Sequence, residues 1–408
     1  PSSRTRKHRV ARCLLAGDCR PAILRAMPEY LAPGTYDAES DRRARVITPL
    51  DLPVTVFIGP TRRGPVGQPS PVLRSFAEFR RVYGGLGALR LDGNRRLLNH
   101  VAHAARCFFD EGGRRLRVVR VSGGHGGVPS LRGYLTALRK VSALPGLRTV
   151  AAPGSSALPL LADPVRRALL AHALKTAPKC FALLDPRPTL QPAEVRTLAS
   201  TIDSAFAALY YPWIMVRNPS TGRDLAVPPS GPLAGVIART DRERGLHRSP
   251  ANTLLRSATG LVRTLSAAQS DQLNPAGVNA VRRLPGRGIR VWGARTLSSE
   301  PEWRYVSIRR YLASLEHAIR RGIGWVGSES NDPQLWATVR LAVGDFLYQE
   351  WRAGRLPGAR PEEAFFVRCD RSTMTPSEIA NCRLVVSLGC AALKPTEFLV
   401  FRISHRTG

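Results

Sequence analysis

The sequence predicts an α/β protein: a mixed, substantially parallel sheet core, then a C-terminal α+β subdomain, with extended arms at the N- and C-terminal ends. Three observations carry this expectation. Short β-rich runs alternate with amphipathic helical ones through most of the 408 residues, which is the pattern of strand–helix–strand units. From residue 362 onward, strand-like runs follow one another with a single short helix between them. The stretch MPEYLAPGTYDAESDRRARVITP, 27–49, fits neither period: Pro28, Pro33 and Gly34 forbid a stable helix, and hardly an apolar side chain lies between Asp37 and Arg45.

Taken in order, residues 1–26 hold seven Lys+Arg and one Asp, with no apolar run longer than four. They read as a basic disordered tail or a mis-assigned start, with Met27 the expected beginning. Residues 27–50 read as an extended arm reaching out of its own domain. A core spans 51–290, with strands expected at 54–59, 116–122, 148–154, 180–185 and 289–297, each brief and bounded by Gly or Pro. Helices are expected at 94–109, 164–175, 192–209, 303–320 and 333–352, where apolar residues recur at helical spacing. The aromatic YYPWIMV, 210–216, reads as a buried strand following the 192–209 helix, not as a stacking surface, because Tyr211, Trp213 and Met215 alternate. PPSGPLAGVIARTDRERGLHRSPAN, 228–252, reads as a turn, a small-residue helix suited to tight packing, and a charged loop. GGHGG at 123–127 and the Pro/Gly-rich 218–232 are the main loops.

The C-terminal subdomain, 291–396, carries strands in EEAFFVRCD and CRLVVSLGCAAL around a short helix at 375–381, marked by a Thr375 cap, Pro376 and Glu378. In the last segment, 397–408, EFLVFRIS is apolar on both strand faces, with Phe398 and Val400 on one and Leu399, Phe401 and Ile403 on the other. Such a strand needs cover on both sides.

Lys+Arg 61 against Asp+Glu 30 gives a formal +31, which fits nucleic acid, a polyanionic protein surface, or merely an arginine-favouring composition. The arginines are scattered and form no long basic stripe. Seven cysteines at 13, 19, 107, 180, 369, 382 and 390 show no paired spacing, which argues against a disulfide framework and for a reducing cytoplasm. No apolar run approaches the roughly 18 to 20 residues of a membrane span.

GxxxxGK[ST], GxSxG, HExxH and CxxC are missing, and GGHGG has no Lys or Ser/Thr where a phosphate loop needs one. His100, His103 and Cys107 fall on one helix face, but three ligands on one straight helix seldom converge on an ion, so core packing is expected. Asp110 and Glu111 read as a helix end without a catalytic partner. No catalytic, cofactor or metal site is expected.

Several stretches together resemble one family. MPEYLAPGTY, FIGPTRRGPVGQPSPVLRSFAEFRRVYGG, ALYYPWIMVRNPSTG, VPPSGPLAGVIARTDRERGLHRSPAN, DQLNPAGVNAVRRLPGRGIRVWGARTLSSEPEWRYVSIRR and the run from NDPQLW to EFLVFRIS are similar to the contractile tail sheath proteins of phages, R-type pyocins and extracellular contractile injection systems. The similarity covers roughly Met27 to Ser404 and is loosest over 123–199. It implies a structural, non-enzymatic subunit without cofactor, forming a helical homopolymer around an inner tube protein, with baseplate and tail-terminator partners. It also implies cytoplasmic assembly into a phage tail or tail-like particle, without membrane insertion. Terminal arms would add strands to neighbouring subunits, carried here by Tyr30, Leu31, Tyr36 and Val46 at one end and Phe398, Val400, Phe401 and Ile403 at the other, buried only in the assembly. Glu378 and Arg383 would lie near the lumen against the tube. The alternative from another class is an arginine-rich nucleic-acid-binding protein, whose affinity would fall steeply with salt.

Overall fold

The computed structural model describes residues 45–90, 96–122, 128–392 and 394–408. The first half of the described chain runs β1 (Val54–Gly59), α1 (Phe76–Tyr83), the short β2 (Leu89–Arg90) and β3 (Arg96–Leu97), α2 (His100–Asp110), β4 (Leu116–Arg120), α3 (Leu131–Ser142), β5 (Arg148–Ala151), α4 (Ala162–Lys175), β6 (Cys180–Leu184) and α5 (Pro192–Ser200). Next come β7 (Ala207–Tyr211), β8 (Ile214–Arg217), β9 (Asp224–Val227), α6 (Ser230–Arg244), β10 (Ala258–Leu261), α7 (Ala267–Leu273), β11 (Val278–Leu284) and β12 (Gly288–Val291). The C-terminal part holds α8 (Val306–Gly322), α9 (Pro333–Arg352), α10 (Pro361–Ala364), β13 (Phe365–Arg368), α11 (Pro376–Ala380), β14 (Arg383–Ala391) and β15 (Phe398–Arg406).

Seven strands form the central sheet in the order β12-β11-β7-β6-β5-β1-β4. All neighbours pair parallel except β12, which folds back on β11 through a tight hairpin. A parallel sheet must be covered on both faces, and β1, β5, β6 and β7 are buried along their whole length. On one side Phe57, Phe181, Leu183 and Tyr210 pack against α1, α2 and α6. On the other, Val56, Ile58, Val150 and Leu209 pack against α3, α4, α5 and α7. A third cluster joins Ile47, α8 and α9 to the antiparallel sheet β13-β14-β15. The substantially parallel core and the α+β C-terminal part are therefore both present.

The expected elements at 54–59 and 333–352 match β1 and α9, and those at 116–122, 148–154 and 180–185 are strands with shorter ends. Several expectations need correction. YYPWIMV, 210–216, is two strands and not one, with β7 ending at Tyr211 and β8 starting at Ile214 in another sheet, and the loop expected over 218–232 holds β9 and the start of α6. The helix expected over 192–209 stops at Ser200, and Ala207–Tyr211 is instead a fully buried central strand. Its alanines favour helix in isolation, yet pairing with β6 and β11 satisfies the backbone inside the core, and that outweighs a preference worth less than about 1 kcal/mol per residue. The strand expected over 289–297 ends at Val291: beyond it the Asn279 side chain takes the place of a ladder partner, accepting from the Arg295 amide at 2.6 Å and donating to the Arg295 carbonyl at 2.7 Å. The helix expected to begin at 94 starts at His100, where the Asn99 side chain accepts from the Ala102 amide at 3.3 Å.

The small-residue helix expected after Pro229 is α6, buried from Ser230 to Ile237. Gly231 and Gly235, one helical turn apart, lie directly on α2: a Cβ on Gly231 would sit 2.6 Å from Ala104 Cβ, and one on Gly235 2.5 Å from the Phe108 carbonyl. GGHGG at 123–127 lies outside the described residues.

Candidate functional site

The C-terminal sheet is the surface on which the sequence expectations converge. β14 is its centre, with β13 and β15 as edges. β15 pairs antiparallel with β14 over nine residues, from Arg383 opposite Arg406 to Ala391 opposite Phe398. Its end is fastened by the Thr407 amide donating to the Cys382 carbonyl at 2.9 Å and the Gly408 amide donating to Glu329 at 3.0 Å.

This placement corrects one part of the arm expectation. Leu399 and Ile403 are buried within this chain, and Phe401 is half-buried against the same core, so these residues do not wait for an assembly to cover them. The physical reason is the nine-residue pairing, which brings the apolar face of β15 onto α8 and α9. On the outward face Phe398 packs edge-on against Phe366, ring centroids 5.3 Å apart, while Val400 remains 55% exposed. Gly389 leaves the room that Phe366 needs, since a Cβ there would lie 2.1 Å from the ring.

Tyr30, Leu31 and Tyr36 lie outside the described residues. Val46 is 68% exposed, but its neighbours are docked: Ile47 is buried against Gly322, and Arg45 stacks over the Trp325 ring at 3.7 Å and pairs with Glu329 at 2.8 Å.

Glu378 closes a capping box on α11, accepting from the Thr375 amide at 2.9 Å while the Thr375 hydroxyl accepts from the Glu378 amide at 3.2 Å. That Thr375 N–H, and at longer range Arg383 and Arg402, hold the Glu378 carboxyl below its ordinary value. Arg383 stands 3.9 Å from Glu378 at the start of β14. Sequence reasoning missed its companions: the register sets Arg406 opposite Arg383, and the two-residue strand period puts Arg402 on the same face. Arg368 of β13, stacked over Phe366 at 5.2 Å and paired in register with Ser387, joins them. The outward face of the sheet thus gathers Arg368, Arg383, Arg402 and Arg406 around Phe366, Phe398 and Val400. Only the strand register, read together with the period, could have revealed the cluster.

The remaining candidates are structural. His103 and Cys107 are buried in the core, and His100 meets Trp213 edge-on at 5.4 Å. Burial holds both histidines down at about 4 and pushes the Cys107 thiol up to about 12. No cluster of metal-ligating side chains occurs among the described residues. Tyr210, Tyr211 and Trp213 are core residues, and the Trp213 indole donates to the Pro186 carbonyl at 2.8 Å. Glu111 is a buried strut: its carboxylate accepts from Arg239 at 3.2 Å and from the Ser257 amide and hydroxyl at 2.8 Å each.

Many arginines act as staples for main-chain carbonyls. Arg117 donates to Ser70 (2.7 Å), Arg120 to Gly64 (2.7 Å), Arg242 to Gly112 (2.5 Å), Arg290 to Asn252 (2.7 Å) and Arg340 to Cys369 (2.6 Å). A guanidinium suits this role because its fixed fork of donors reaches loop carbonyls that secondary structure leaves free.

Residues 133–297 match the family model described as the phage tail sheath protein central domain, and 298–406 that of the phage tail sheath C-terminal domain. A putative prophage major tail sheath protein of Pseudomonas aeruginosa strain UCBPP-PA14 is 29% identical over 262 residues, covering 63% of this chain and 64% of that protein. This chain therefore matches a little under two thirds of that relative's length. The tail sheath protein of Burkholderia phage BcepMu is 38% identical over 120 residues, 28% of this chain and 24% of that one. Among solved structures, the helical sheath of the anti-feeding prophage in its contracted state superimposes with a TM-score of 0.72 at 25% identity, covering 92% of this chain and 99% of that one. The contracted sheath of the extracellular contractile injection system PVC shares the fold, with a TM-score of 0.70 at 24% identity over 92% and 98% of the two chains. With both sheath domains matched in order along one continuous fold, the chain belongs to the phage tail sheath protein family.

Proposed function

We propose that this chain is the structural subunit of a contractile sheath, polymerising helically around an inner tube and shortening to drive that tube through a target envelope. The observation that carries the reading is the match of 133–406 to the two sheath domains, together with the likeness to a sheath in its contracted state. Contraction is then a rearrangement of rigid subunits, without nucleotide or cofactor. The compact unit Arg45–Gly408 suits such rigid-body movement. Segments 27–50 and 397–408 are the links between subunits, the second through the outward face and free edge of β15. The arginine cluster around Arg383, with Glu378, faces the tube, and a tube surface of opposite charge seats there. Baseplate and tail-terminator proteins cap the polymer, which assembles in the cytoplasm as part of a tail or tail-like particle. No helix among the described residues is long and apolar enough to cross a membrane. The arginine staples supply a reason for part of the positive charge that needs no nucleic acid.

The test is negative-stain electron microscopy of the purified, nuclease-treated chain at moderate and high salt. Hollow striated tubes of uniform width are expected. Monomers at every salt, together with tight salt-sensitive binding of nucleic acid, would overturn the reading in favour of an arginine-rich nucleic-acid-binding protein.

A further inference from the structure

Beyond the sheath reading, a cavity of about 20 Å³ lies at the entry ends of β5 and β6, where the first turns of α8 pack against them. Four cationic residues line it: Arg148, Lys179, Arg309 and Arg310. No Asp or Glu among the described residues does so. A volume of this order admits one water-sized particle, too little for a nucleotide or a peptide segment.

Arg310 is neutralised by its ion pair with Asp241. The other three have no ion pair among the described residues. Arg309, only 7% exposed, lies between the rings of Phe206 and Trp303 at 4.5 Å from each, so both guanidinium faces are covered and its edge is left. Arg148, 2% exposed, spends Nη1 on the carbonyls of Leu144 and Gly146. Each of these two arginines keeps a buried Nε without a hydrogen-bond partner. The carboxylate whose field reaches Arg309 is that of Glu316, itself paired with Arg320 at 3.1 Å. The Cys180 thiol beside Arg148 is pushed by burial up to about 11, so it is neutral at pH 7 and supplies no counter-charge. Burial pulls Arg309 down to about 10 and lowers Arg148 as well, yet a guanidinium stays protonated at neutral pH.

We propose that this cavity binds a single chloride ion, held by Arg148 and Arg309 with the exposed Lys179 ammonium at its mouth. Charge and size together select the occupant. A water would accept from the two free N–H groups but bring no charge, and a buried cation left without a counter-charge is strongly unfavourable. A halide needs only donors and positive charge around it, and the lining provides both without a competing carboxylate. The ion ties the starts of two central strands to α8, so its binding is expected to appear as added stability of the folded chain.

The test melts the full chain while chloride replaces gluconate at a constant ionic strength of about 0.2 M, so that screening does not change. The melting temperature is expected to rise by ~1–3 °C between about 2 and about 200 mM chloride, and equally with bromide. Chloride-35 NMR of the same samples is expected to show a broadened line that bromide narrows by competition. Both effects should vanish in Arg309→Met, whose fold circular dichroism checks because the position is buried. Lys179→Gln, at the exposed mouth, is the second variant and is expected to weaken chloride binding at least ~3-fold; it decides the matter if Arg309→Met does not fold. Equal melting in chloride and gluconate would mean that the cavity holds water only. Chloride dependence unchanged in folded Arg309→Met and in Lys179→Gln would mean an adventitious ion elsewhere on a basic surface. Displacement of chloride by phosphate at equal concentration would make the cavity an oxyanion site. Any of these three results overturns the proposal.

Discussion

Arg310 and Asp241 meet in a buried two-point ion pair, with Nη1 donating to Oδ1 at 2.9 Å and Nη2 to Oδ2 at 2.5 Å. The pair ties the end of α6, in the central core, to the first turns of α8, which carries the C-terminal part. Asp241 draws the Arg310 guanidinium above its ordinary value even though burial pulls the other way. Removing one partner leaves a buried charge alone, so Asp241→Ala is expected to cost ~3–5 kcal/mol. Replacing both by apolar residues of similar volume is expected to cost clearly less than the sum of the single changes. Urea unfolding of the two singles and the double measures this coupling.

Gly235 sets how closely α6 approaches α2. Its absent side chain would meet backbone, the Phe108 carbonyl at 2.5 Å, which cannot turn away as a flexible side chain could. Gly235→Val is therefore expected to lower stability by ~1–3 kcal/mol or more through forced separation of the helices. Gly324→Ala, with nothing near its Cβ position, serves as the control in the same thermal melts.

Two sets of buried groups pull the pH dependence in opposite directions. His100, His103 and His172 are held by burial at about 4 against an ordinary 6.5, so the unfolded chain binds protons that the native one refuses. Their contribution is present above pH 6.5 and is lost as pH falls toward 4. Asp185 is raised to about 7 by burial, only partly offset by the Ser230 amide and hydroxyl that it accepts from. Its contribution is full below the ordinary value of 3.8 and is lost as pH rises to about 7. The histidines outnumber it, so stability is expected to rise from pH 4 to 6.5. In Asp185→Asn that rise should steepen, because the opposing slope is gone. Chemical denaturation at half-unit pH steps reads it, and unchanged slopes would count against the assignment.

The pairing of β15 separates stability from assembly. Deleting 397–408 removes nine paired residues and the buried Leu399 and Ile403, so the truncated chain is expected to melt at lower temperature as well as fail to polymerise. Val400→Lys changes only the outward face. It should keep the wild-type melting temperature and lose tubes in the electron microscope; normal tubes from this variant would remove β15 from the inter-subunit contact.

Charge reversal at Arg383 tests the tube-facing cluster. Arg383→Glu sets a second carboxylate beside Glu378, and it is expected to weaken tube docking, measured by co-sedimentation, while self-assembly continues. Equal docking would place the tube elsewhere.

Local chemistry made much of this protein legible from sequence alone. Apolar residues at helical spacing announce α9 over 333–352, whose start Asp332 caps by accepting from the Leu335 amide at 2.8 Å, and Thr375, Pro376 and Glu378 announce α11, because the groups that satisfy a helix start sit within a few residues of it. β1 was equally plain, its VTVFIG being β-branched or apolar throughout. The resemblance of extended motifs likewise pointed to the sheath family before any fold was known. What only the tertiary structure decided are the features whose partners lie far apart in the chain. Ala207–Tyr211 became a strand because β6 and β11 flank it, against its own helix preference. EFLVFRIS turned inward because β14 offered it a nine-residue partner, and the same register gathered Arg383, Arg402 and Arg406. Arg309 looks like any other arginine until α8 sets it between Phe206, a hundred and three positions earlier, and Trp303. Burial and pairing across such distances are properties of the packed chain, and no local period encodes them.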